Sequence, residues 1–167
     1  MTDTKQNDSF VSKEAIKASP LGEELSDAQC ALLAGVATAC GIKDGAFLID
    51  EGGKDDALYV ISGGRLEAVT RGSDEGYITL QLLIEGDMVG ELGFIDGVEH
   101  SAGLRALGNC ELIRLDRTAF ESLLEKDPVL VYKVMRTIMR TVHRILRRMN
   151  TQYVELTNYI AKQHGRY

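Results

Sequence analysis

In GDMVGELGFIDGVEHSAGLRA, residues 86–106, the chemistry-bearing side chains Glu91, His100 and Ser101 stand among closely spaced glycines. Gly90-Glu91-Leu92-Gly93-Phe94 has the makings of one helical turn, whose first N–H groups and positive dipole end would face an anion. Glu91 opens that turn, where a carboxylate either favours the dipole or accepts a hydrogen bond from a sugar hydroxyl. Ser101 adds a hydroxyl donor and His100 an N–H, cationic or neutral. Taken alone, the pattern suits an anion cradle and a tight loop between strands equally.

The elements that must position these residues change character along the chain. Residues 1–9 read as a polar tail, and a short helix over 11–18 is stopped by Pro20. Ser26 and Gln29 form a capping box that opens an Ala- and Leu-rich helix ending near Gly41. From Ala46, short β-like runs alternate with turn signals: AFLID, ALYVI, RLEAVT, YITLQLLI, LRAL and ELIRL. ALYVI and RLEAVT across Gly63-Gly64 predict a hairpin, and six or more closely spaced strands predict an antiparallel sandwich or barrel-like roll.

After Asp116, RTAFESLLEKD reads as a helix, with Pro128 placed to start the next. Residues 129–163 contain neither Gly nor Pro. A helix of that length measures about 50 Å, more than one small roll can cover. Met135, Met139, Val142, Leu146, Met149, Tyr153, Leu156 and Ile160 recur at alternating spacings of 4 and 3. That heptad seam predicts a parallel helix pair with a second copy of the chain. Val131, Val134, Ile138 and Ile145 form a second stripe, expected to pack on the roll.

The net charge of −6 is unevenly placed: from Val129 onward eight Lys or Arg face a single Glu, so the body before it is acidic. Lys133, Arg136, Arg140, Arg144 and Arg147 form a ridge on the long helix. It reads as an anion contact or as a solvated face partly neutralised by the acidic body. The 167 residues suit one globular unit. The absence of a long apolar run or a leader pattern implies a cytoplasmic protein with no membrane span. Three cysteines without CxxC spacing read as buried thiols, with no disulfide framework and no metal site. A P-loop, a nucleophile elbow and a carboxylate pair are all missing, so the sequence reads as non-enzymatic.

The order GAFLIDEG, LYVISGGRLEA, GDMVGELGFIDG, EHSAGLRA, ELIRLDRTAF and a long helix resembles the cyclic nucleotide-binding domain family of the catabolite activator and protein kinase A regulatory subunit. The resemblance implies an α+β fold: an antiparallel β-roll, of the double-stranded β-helix or jelly-roll kind, eight-stranded in the family. Helices flank the roll, and a long C-terminal dimerisation helix follows it. Residues 1–25 would be tail and short helix, 26–128 the roll, and 129–167 the long helix. It further implies that Gly90, Glu91, Leu92, Ser101 and the neighbouring Ala102 take the family's phosphate-cassette positions. Glu91 would meet the ribose hydroxyl, and the backbone N–H groups of residues 90–92 with the Ser101 hydroxyl would meet the cyclic phosphate.

Three departures accompany the resemblance. His100 stands where the family has its phosphate-binding arginine. Ile145 and Leu146 stand where the bacterial activators present polar side chains to the purine, while Arg144 and Arg148 could reach an anion from the helix side. Finally, no winged helix-turn-helix follows the dimer helix, so sequence-specific DNA binding is not expected. The reading is therefore a stand-alone regulatory homodimer that senses a cyclic nucleotide or related phosphorylated ligand, without other cofactor, and signals to an unidentified protein partner. The alternative is a degenerate, dimeric docking module that binds no nucleotide. A haem or iron–sulfur sensor on the same fold is a third reading, in which Cys30 and Cys40 lack cluster spacing and only distant His143 or a cysteine could join His100.

Overall fold

A computed structural model describes residues 9–73 and 76–164. The polar tail expected over residues 1–9 lies, apart from Ser9, outside them. Helix α1 (Lys13–Ala18) is capped by the Ser12 hydroxyl, which accepts from the Ala15 N–H. A 3-10 turn, Pro20–Gly22, follows, and then α2 (Asp27–Ala34), whose capping box of Ser26 and Gln29 is complete on both sides.

The helix expected to run on to Gly41 ends at Gly35. ATACGI forms strand β1 (Ala37–Ile42), paired antiparallel with residues 110–115. Only the two alanines of this segment favour a helix, and a pairing partner about seventy residues away decides for the sheet.

Strands β2 (Phe47–Ile49), β3 (Ala57–Arg71), β4 (Tyr77–Ile84), β5 (Met88–Val89) and β6 (Gly103–Asp116) complete an antiparallel sheet with helix α3 (Glu91–Asp96) between β5 and β6. Its main path runs β1-β6-β3-β4, with β2 on β6 and β5 on β3. The hairpin expected at Gly63-Gly64 does not form. ALYVI and RLEAVT belong to one 15-residue strand, and LRAL and ELIRL to one 14-residue strand, β6, that pairs with β3 on both sides of the glycines.

The register slips there, with Gly63 opposite Glu111 and Arg65 opposite Leu107, so both strands bend together. A Cβ on Gly64 would lie 2.5 Å from the Asn109 carbonyl oxygen, a contact that only glycine permits. The glycines thus mark a bulge that curls the sheet into a roll. The family's eight strands correspond to six among the described residues, two of them long and bent.

Two apolar layers follow from side-chain alternation along β3. Ala57, Tyr59 and Ile61 point into the roll with Ile42, Leu48, Leu66, Leu83, Leu104 and Leu112. Leu58 and Val60 point to the helices, where they meet Ile16, Leu33, Phe94, Ile113, Phe120 and Leu130. Helix α4 (Arg117–Glu121) is shorter than the RTAFESLLEKD segment, which continues as turns to Asp127.

The last helix, α5 (Pro128–His164), has 37 residues. Asp127 caps it, its Oδ1 accepting from the Leu130 N–H at 2.9 Å and its Oδ2 from Gln29 at 3.0 Å. These bonds hold its carboxyl below the usual range, the Leu130 N–H contributing most. The stabilisation is therefore complete at neutral pH and is lost as pH falls through the carboxylate range. Asp127→Ala should lower the melting temperature by about 2 to 4 °C at pH 7, with a smaller effect in acid, as calorimetry would show.

Of the stripe expected to pack on the roll, Val131, Val134 and Ile138 are buried and Ile145 is half-buried, and Leu130 is buried beside them. On the seam, Met135 and Val142 are half-buried, and Met139, Leu146, Met149, Tyr153, Leu156 and Ile160 are exposed in the single chain. No helix among the described residues is long and apolar enough to cross a membrane. Cys30, Cys40 and Cys110 are buried free thiols.

Candidate functional site

The cassette begins where β5 leaves the sheet. Gly90 takes φ +84° and caps α3, with the Phe94 N–H donating to its carbonyl at 2.9 Å. A Cβ on Gly90 would sit 2.6 Å from the Ala57 carbonyl oxygen, and one on Gly93 2.2 Å from that of Asp55. The helical turn is therefore laid directly on the backbone that leads into β3, which explains the spacing of the two glycines.

The second wall is the segment before β6. His100 exchanges backbone hydrogen bonds with the Gly52-Gly53 turn: its N–H donates to the Gly53 carbonyl at 2.9 Å, and its carbonyl accepts from Gly52 at 2.7 Å. That pairing holds Ser101 and Ala102 beside α3.

Between the walls lies a cavity of about 310 Å³, lined by Gly90, Glu91, Leu92, His100, Ser101 and Ala102 together with Glu99, Ala68, Gln81, Leu83, Met88, Val89, Leu104 and Ile145. A mostly apolar cleft of this size with a few converging polar groups is what a small-molecule site requires. Burial pushes the Glu91 carboxyl up, against a hydrogen bond from its own N–H and the nearby His100. No Lys or Arg ion pair to it occurs among the described residues. A half-buried carboxylate so placed gains from any hydroxyl donor brought into the cavity.

His100 is turned toward the protein rather than fully into the cavity. Its Nε2 lies 3.2 Å from the Asp55 carbonyl oxygen. Asp55 is itself fixed, its carboxylate accepting from the Tyr59 hydroxyl at 2.6 Å and the Ala57 N–H at 2.9 Å. Burial, reinforced by that carboxylate, pushes the Tyr59 hydroxyl up, so it stays a neutral donor.

All the residues expected at the cassette meet at this one cavity. Of the pair expected opposite the base, Ile145 lines it and Leu146 does not; Leu146 lies on the exposed seam. Arg144 and Arg148 border a small adjoining cleft that shares Gln81, Leu83, Met88 and Ile145 with the cavity, so they stand at its edge. The basic ridge is partly neutralised: Arg136 and Arg140 both pair with Glu24, and Lys133 donates to Gln29 at 3.1 Å.

Sequence reasoning missed Gln81 and Leu83, although the period-2 pattern of YITLQLLI puts residues 79, 81 and 83 on one face. It also missed Asp55 and Gly93, which fix the histidine.

A line of packed apolar side chains leads from the cassette toward α5. Phe94 of α3 packs on Phe120 of α4 with ring centroids 5.5 Å apart. Both rings border a second, apolar cavity with Leu124, Val131 and Met135, the last two on the first turns of α5.

Residues 41–127 match the family model described as the cyclic nucleotide-binding domain. The chain belongs to that family, a regulatory one whose ligand is a cyclic nucleotide. It is 28% identical over 117 residues to the cAMP-activated global transcriptional regulator CRP of Salmonella typhimurium, covering 69% of this chain and 56% of that protein. It is 29% identical over 128 residues to an uncharacterised NTE family protein of Mycobacterium tuberculosis, covering 77% of this chain and 21% of that one. The chain thus spans about a fifth to a little over half of the length of these relatives. Among solved structures, a cyclic nucleotide-binding domain from Methylobacillus flagellatus superposes with a TM-score of 0.78 at 22% identity, covering 86% of this chain and 83% of the other, a likeness of fold.

Proposed function

We propose that the chain is a cytoplasmic regulatory module that takes a cyclic nucleotide, or a closely related phosphorylated ligand, into the 310 Å³ cavity and passes its occupancy to a protein partner through α5. Residues 26–128 serve as the sensor and 129–167 as the readout arm. The observation that carries the reading is Glu91, a half-buried carboxylate with no Lys or Arg ion pair among the described residues, set in the same cavity as the Ser101 hydroxyl and the N–H groups of residues 90–92.

Glu91 accepts from the ribose hydroxyl, while Ser101 and the backbone donate to the phosphate. A ligand that draws α3 inward moves Phe94, and with it Phe120 and the first turns of α5. The mechanism is a population shift, its size set by how much better the ligand fits one arrangement than the other. Two copies pair along the α5 seam. Exposed apolar faces on α5 and on β4, where Ile78, Leu80, Leu82 and Ile84 all lie outward, support an assembled state.

Calorimetric titration of cyclic AMP and cyclic GMP tests the reading. Wild type should bind one of them, and Glu91→Gln and Ser101→Ala should each weaken binding about tenfold. Absence of heat with both nucleotides, or affinity unchanged in both variants, would contradict it. The second reading, a docking dimer without nucleotide, is favoured by the Asp55-bound His100 and by Ile145 on the base side. It predicts silence in that titration together with an intact dimer.

A further inference from the structure

We propose that His100 makes ligand capture proton-linked: an anion enters the cassette together with one proton from solvent, which completes an imidazolium at His100. The inference rests on the cassette reading above and adds to it which ionisation state of the site accepts a phosphate.

A carbonyl oxygen can only accept, so the 3.2 Å contact to Asp55 places a proton on Nε2. In the neutral ring Nδ1 is then a bare acceptor, and no protein partner for it occurs among the described residues. The ring cannot exchange the roles of its nitrogens cheaply. A Cβ on Gly93 would stand 2.9 Å from Nε2 and 3.2 Å from Cε1, so the imidazole fits against that position only because it is glycine. The backbone on both sides of the His100 Cα is bonded to the Gly52-Gly53 turn. A ring flip would set a carbon against the Asp55 carbonyl and forfeit the bond.

A phosphate diester also offers only acceptors. With Nε2 committed to Asp55, Nδ1 is the ring nitrogen left to meet a ligand in the cavity that His100 lines; unprotonated it opposes acceptor to acceptor, and protonation converts the clash into a charge-assisted hydrogen bond. Charged groups stand around the ring on several elements. Glu91 on α3 is electrostatically coupled to it, and Glu99, its neighbour, is shared with Lys54 at 3.6 Å. The Asp55 carboxylate is turned away to Tyr59 and Ala57. From α5, Arg144 and Arg148 stand in the adjoining cleft and act in the opposite sense. Glu91 cannot imitate the effect, because protonating it removes an acceptor and weakens binding toward acid.

The test is titration of cyclic AMP and cyclic GMP into wild type and His100→Arg at pH 6.5, 7.5 and 8.5, in buffers of different ionisation enthalpy. Wild-type affinity should fall about tenfold from pH 7.5 to 8.5, with close to one proton taken up per site, while His100→Arg binds without pH or buffer dependence. A flat wild-type profile overturns the proton linkage and leaves the cassette reading standing. So does wild-type silence at every pH when His100→Arg binds. Silence of both proteins overturns both. Independently of any ligand, imidazole nitrogen spectra of the protein at pH 8 should show the Nε2-protonated tautomer at His100; the Nδ1-protonated form would overturn the proposal.

Discussion

His100→Arg is expected to tighten cyclic AMP binding at pH 7.5 by about ten- to hundredfold. The imidazole offers the site at most one donor, and only when doubly protonated, because its other nitrogen is committed to the Asp55 carbonyl. A guanidinium carries its charge at every relevant pH and presents a planar fork that suits two phosphate oxygens at once. One recovered charge-assisted hydrogen bond contributes about 1.5 to 3 kcal/mol, which sets the range quoted. The substitution also removes the bond to Asp55, so the ligand-free variant should melt slightly below wild type and regain that loss on adding nucleotide. Calorimetry and a melting curve read both effects, and an affinity unchanged by the arginine would place the anion away from residue 100.

Leu156→Glu is expected to convert a dimer into a monomer in sedimentation while leaving the melting temperature of the roll unchanged. Leu156 is 57% exposed and its seam neighbour Tyr153 72% exposed, in a stretch of α5 beyond Ile145, the last residue bordering the ligand cavity. A carboxylate on a helix–helix seam must be desolvated opposite its own copy, which strongly disfavours the pairing. Since Leu156 belongs to neither apolar core layer, a fold defect would not readily mimic the result. A wild-type protein that sediments as a monomer at micromolar concentration would contradict the seam assignment.

What could be read from the sequence divides along a physical line. Local signals were reliable where a side chain acts on its own backbone: the Ser26 capping box and the start of α5 at Pro128 both stand. The α5 stripe that packs on the roll was also legible, because burial of Val131, Val134 and Ile138 follows directly from helical spacing. Signals failed where distant pairing decides. ATACGI has nothing that marks it as a strand until residues 110–115 arrive beside it. Gly63-Gly64 looks the same whether it turns the chain back or lets β3 bulge past Asn109.

At the site, the residue types and their order pointed to Gly90, Glu91 and Ser101. The orientation of His100 depends on Asp55, 45 positions earlier, and on the missing side chain of Gly93. No spacing rule within 86–106 contains that information.

Amide NMR of the isotopically labelled protein during addition of cyclic AMP or cyclic GMP tests the central claim most directly, since it reports where the ligand sits. The account predicts that the largest shifts fall on the N–H groups of Gly90, Glu91, Leu92, Ser101 and Ala102, with smaller ones reaching Phe94, Phe120 and Val131. Unmoved cassette amides at millimolar nucleotide, or shifts confined to another face of the roll, would contradict it.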